Sequence, residues 1–217
     1  MANVIIFGVR FKPEKKQAWH LAICQALRYI TRGAFAVCSR GSKLRPQERP
    51  LVYTPQHIAN YFLDRAEGEG RSLSPLKLIK LVYIAYGWVL ALTNERLFDE
   101  TIEAWQHGPV IPSVYHEFKH YRSDPICERA GTLDMETGSY QIPRVPKADT
   151  TTLLILEKVW AAYRGFSGWA LRNKTHEKDT PWTAVYDGTM DKAIPDALIA
   201  PHFHKKIREI VDAARAA

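Results

Sequence analysis

At 217 residues, with 46% hydrophobic and 24% charged side chains, the chain has the composition of an ordinary globular protein with one domain, or one domain plus an extension. Cys24, Cys38 and Cys127 are odd in number and form no CxxC pair, which argues against a disulfide framework or a Cys-based zinc site and for a reducing, cytoplasmic compartment. The net charge of +7 is uneven: residues 1–50 hold ten Lys/Arg against two acids, net +8, while the other 167 residues carry 20 basic and 21 acidic groups, net −1.

The charge therefore belongs to a basic N-terminal extension, 1–50, ahead of a nearly neutral domain, 51–217. Arg10, Lys12, Lys15 and Lys16 interrupt its apolar pieces, so no secretory core is expected. A basic arm attracts nucleic acid or an acidic surface, but the aromatic–basic interleaving of RNA-binding modules is missing, so a poorly ordered tail is the favoured expectation. Within it, 2–9 suits a short strand and 17–31 has helical spacing at Trp19, Ile23, Leu27 and Ile30. The stretch 39–50, SRGSKLRPQERP, reads as a linker.

Thr54-Pro55 and Ser74-Pro75 each pair a capping residue with a proline suited to the first helical turn. They predict helices over 55–66 and 75–93, packed antiparallel across a short loop. The second is apolar on most faces except at Lys77, Lys80 and Gly87, so it belongs inside other elements. Its uninterrupted apolar run, 81–92, is too short for a membrane span, which takes roughly 20 residues. Short strands are expected at 101–106 and 139–145, paired as a small hairpin or edge. Helices are expected over 113–121, 151–164 (capped by Asp149 or Thr150), 168–175 after Ser167, a turn from Pro181, and 202–215. The fold class is mainly α: a compact helical domain with a possible small β-hairpin.

His116-Glu117-Phe118-Lys119-His120 matches H-E-x-x-H, in which two His one turn apart bind zinc and the Glu activates water. No downstream Gly and third His follow, Lys119 puts a cation on the helix, and the helix starts only about three residues earlier; a surface helix is the favoured reading. Nothing resembles a P-loop, a dinucleotide turn or a nucleophile elbow, so no enzyme and no cofactor are called for. The cluster Ala-Trp-Gln-His-Gly-Pro-Val at 104–110 stands out instead. Pro109 drives Gly108 towards extended geometry, making a fixed bend flanked by Trp105 and His107. Such a bend can present an aromatic side chain to a partner.

Three runs, KLIKLVYIAYG (77–87), RLFDETIEAWQHGPVIP (96–112) and VYHEFKHY (114–121), together with THEKDTPW (175–182), resemble the Panacea domain of the SocA-like antitoxin family. The likeness covers about 76–186 and leaves 1–50 outside. It implies a bacterial or phage antitoxin of a toxin–antitoxin system, neutralising a cognate protein toxin by protein–protein contact, either by blocking it or as a proteolytic adaptor for a cytosolic AAA+ protease. The partner-binding candidates are Trp105, His107, Gly108, Pro109, His176 and Trp182. The alternatives are a zinc-dependent hydrolase using His116, Glu117 and His120, or a nucleic-acid binder using residues 1–50; no membrane association is expected.

Overall fold

The computed structural model describes residues 5–6, 9–10 and 53–215, apart from 134, 136, 137 and 190. Where one strand is expected over 2–9 there are two, β1 (Ile5–Ile6) and β2 (Val9–Arg10), paired antiparallel. The helix expected over 17–31 and the linker at 39–50 lie outside the described residues.

The helices are α1 (Pro55–Gly68), α2 (Pro75–Thr93), α3 (Pro112–Phe118), α4 (Thr150–Tyr163), α5 (Gly168–Thr175), α6 (Pro181–Val185) and α7 (Asp196–Arg215). α1, α2 and α6 start with a capping residue followed by proline, and at the starts of α4 and α5 Asp149 and Ser167 accept hydrogen bonds from the backbone N–H groups of Thr152 and Ala170. Ser74 sits at the N-cap of α2 but caps through its carbonyl, which accepts from Leu78 N at 3.0 Å; the hydroxyl makes no capping bond. Asn94 ends α2 in the left-handed region at φ 60°, a conformation Asn tolerates better than most residues.

Fifteen of the 19 residues of α2 are buried, and α1, α3, α4, α5, α7 and β4 (Gly108–Val110) all pack on it. By length and hydropathy alone α2 passes for a membrane span, but 72% of its apolar window is covered by these neighbours. Gly87 lets α7 close in: a Cβ there would enter the Phe203 ring, which also meets the edges of Tyr83 and Trp88.

β3 (Glu103–Trp105) is the middle strand of a three-stranded antiparallel sheet, between β4 and β7 (Lys192–Ala193). The expected pairing of 101–106 with 139–145 is therefore corrected. β6 (Tyr140–Gln141) pairs instead with β5 (Thr132–Leu133), at a separate place. Gly108-Pro109 is not merely a bend into a helix but a strand, and Pro109 is tolerated because β4 lies at the sheet edge. The last helix begins at Asp196, earlier than the expected 202, with Pro201 near its start and Ile199 fully buried.

Buried Asn60 ties the 130–143 region to α1. Its Nδ2 donates to the carbonyls of Ala130 (2.9 Å) and Pro143 (3.0 Å), and its Oδ1 accepts from Ala130 N (2.8 Å). Asn60→Leu is expected to lower stability by about 2–3 kcal/mol in denaturant unfolding, because it strands buried backbone groups.

Candidate partner-binding site

The turn between β3 and β4 carries Gln106 and His107, and Gly108 follows at φ +96°, a region that L side chains rarely adopt. This hairpin end sits on the corner formed by α5 and α6. A Cβ on Gly108 would lie 2.5 Å from Thr175 Oγ1, 2.9 Å from Lys80 Nζ and 3.1 Å from His176 Cε1. Glycine is thus needed for space as well as for backbone shape.

Each of the six expected residues belongs to this junction. Trp182 Nε1 donates to the carbonyl of Trp105 at 2.8 Å. The His176 ring lies 3.7 Å from that of Trp182, with its Nε2 3.2 Å from the Gln106 carbonyl and its Nδ1 2.8 Å from that of Arg172. Both neighbours are acceptors, so a neutral imidazole satisfies one at a time. Trp105 is half-buried against the Tyr115 ring and donates to Glu103 at 2.7 Å. Gly108, Pro109 and Trp182 are buried, His176 is half-buried, and His107 alone of the six is exposed.

Three further residues complete the place, and sequence reasoning did not assign them to it. Lys80, on α2, is fully buried and donates to the Pro109 carbonyl at 2.8 Å, clamping the hairpin to the central helix. Burial, and then the charge of Arg172, pull its pKa down to about 7. Trp169, in the first turn of α5, is 60% exposed and meets the His107 ring edge-on at 5.8 Å. Arg172 lies one turn further along. His176 is held below the ordinary imidazole range chiefly by burial; its two backbone contacts oppose this, and Arg172 and Lys80 reinforce it. The signals were present: a lysine on the most apolar helix, and a tryptophan in a short helix of otherwise polar character.

The H-E-x-x-H run is placed differently. α3 ends at Phe118, so His120 falls in the 3₁₀ turn Lys119–Tyr121, outside the α-helical register that sets the two imidazoles on one face. His116 and His120 are exposed, and Lys119 Nζ lies 3.4 Å from His116 Nδ1. Among the described residues no three His, Cys, Asp or Glu side chains gather as a metal site.

The family model described as antitoxin SocA-like, Panacea domain, matches residues 78–183. Antitoxin SocA of Caulobacter vibrioides (strain NA1000 / CB15N) is 31% identical over 144 residues, covering 64% of this chain and 76% of that protein. The chain belongs to the SocA-like Panacea family. No solved structure matches it. The Panacea match runs from within α2 into α6, so it contains Lys80, the hairpin, Trp169, Arg172, His176 and Trp182.

Proposed function

We propose that this Panacea protein is an antitoxin that neutralises a cognate protein toxin by binding it directly, with the hairpin end and the exposed side of α5 as the contact surface. Family membership supports the antitoxin role. The observation that carries the choice of surface is the junction itself: exposed His107, on a hairpin fastened from beneath by Lys80, His176 and Trp182, stands against exposed Trp169 of α5. Tryptophan and arginine dominate interface energetics, and a platform already ordered loses little freedom on binding. The function needs complementarity, and no covalent step.

Blocking the toxin and handing it to an AAA+ protease both begin with this contact. They differ in the fate of the toxin: its amount stays constant when it is blocked and falls when it is delivered. The reading is tested by inducing the reading frame next to the gene, with and without this protein. Rescue of growth supports it; toxicity that persists with the protein abundant contradicts it. In the same assay His107→Ala/Trp169→Ala is expected to lose rescue. Both side chains are at the surface, so the fold changes by about 0.5 kcal/mol or less, whereas binding falls by about 2 kcal/mol, roughly thirtyfold. Thermal melting and a pull-down against the wild-type protein measure the two separately.

A further inference from the structure

Helix α5 carries no negative charge of its own where it meets the hairpin end. Trp169, Arg172 and His176 are spaced three and four residues apart and so follow one another along one side of the helix and its C-cap. Gly168–Thr175 contains Arg172 and Lys174 and no acid. Among the described residues Arg172 makes no ion pair: one Nη reaches Asn173 Oδ1 at 3.3 Å, and Nε is buried with no hydrogen-bond partner. The charges that act on Lys80 and His176 are each cationic. A guanidinium partly desolvated without an ion pair is costly, and an incoming carboxylate on Arg172 offsets that cost.

We infer that this surface takes an acidic segment of the partner, one carboxylate pairing with Arg172 while a neighbouring apolar side chain lies on Trp169. The inference rests on the partner-binding reading above and gives that partner a chemistry. A guanidinium matches a carboxylate in a planar, two-bond geometry, and the exposed indole supplies an apolar platform one helical turn away. Residues 51–217 have no broad basic field, with a net charge of −1. A single arginine beside an aromatic ring therefore suits a local acidic group better than a polyphosphate backbone.

The test uses the full chain and fluorescein-labelled peptides read by anisotropy: Glu-Phe-Asp-Leu-Glu, its amide counterpart Gln-Phe-Asn-Leu-Gln, and a single-stranded oligonucleotide as a competing anion. The acidic peptide is expected to bind about tenfold tighter than the amide peptide, a margin that shrinks with added salt. Arg172→Gln removes the margin and Arg172→Lys keeps part of it, with melting temperatures matching the wild type. Equal binding of the two peptides, binding of neither, a margin that survives Arg172→Gln, or tighter binding of the oligonucleotide overturns the inference. Growth rescue separates the two readings. Full rescue by Arg172→Gln removes Arg172 from the toxin surface and leaves the antitoxin function standing, whereas failure of the wild type to rescue strikes that function itself.

Discussion

Gly108→Ala is expected to cost about 3 kcal/mol or more, a fall in melting temperature of roughly 6–12 °C for a chain of this length. Two effects combine. The residue sits at φ +96°, where a side chain is strained, and the new methyl would press on Thr175 Oγ1, Lys80 Nζ and the His176 ring, none of which can retreat without breaking a hydrogen bond. Gly188 provides the control. It has nearly the same φ, +97°, with nothing within 4 Å of its virtual Cβ. Gly188→Ala therefore isolates the conformational cost, about 1–2 kcal/mol, and the excess at Gly108 measures how tightly the hairpin is seated. Because seating places His107 against Trp169, Gly108→Ala also loses partner binding at temperatures where the rest of the chain remains folded.

The second large effect concerns Lys80, whose burial gives stability an unusual pH dependence. Its ammonium has a pKa near 7 in the folded chain and near 10.5 when unfolded. Between those values the unfolded chain binds a proton that the folded chain lacks, so raising the pH favours folding. Below about pH 7 both forms are protonated, and Lys80 contributes no further slope. The wild type is thus expected to gain up to about 1 kcal/mol per pH unit between roughly pH 7.5 and 9.5 in urea unfolding. Near pH 10 ionisation of tyrosines in the unfolded chain opposes the trend, since Tyr53, Tyr61, Tyr83 and Tyr163 are all held above their ordinary range, mainly by burial. Lys80→Met keeps most of the volume and removes the charge, so its profile is expected to be clearly shallower over the same window, keeping only the smaller rise from Lys77 and Lys206, whose pKa values burial also lowers. A wild-type profile as shallow as that of Lys80→Met would show that Lys80 is solvated.

These two positions also mark where the sequence was readable and where it was not. α2 was predicted at 75–93 and observed at Pro75–Thr93, because a dense apolar run bounded by Ser74-Pro75 and Asn94 leaves few alternatives. α7 begins six residues earlier than the expected 202, since Pro201 reads as a helix start but sits inside the helix at its sixth residue, where its missing N–H gives up one backbone bond. The strands were harder. Each has two or three residues, and β3 finds β7 nearly ninety positions later, a pairing that no local periodicity encodes.

At the candidate site, sequence patterns picked out the hairpin and the His176–Trp182 segment but not their contact, which depends on the chain folding back over some seventy residues. Lys80 looked like an interruption of an apolar helix, and only the seated Pro109 carbonyl gives it a role. Trp169 carries no local signal that separates a core from a surface indole; its exposure becomes informative once His107 stands beside it.

Direct binding is the central claim, and mixing purified components tests it most simply. The protein and the product of the adjacent reading frame, once that frame has proved toxic in the growth assay, are each purified alone, combined and examined by size-exclusion chromatography with light scattering. The expected result is a complex of defined stoichiometry that Trp169→Ala weakens without unfolding the protein. Growth rescue in cells with no complex at micromolar concentrations of both proteins would contradict direct neutralisation.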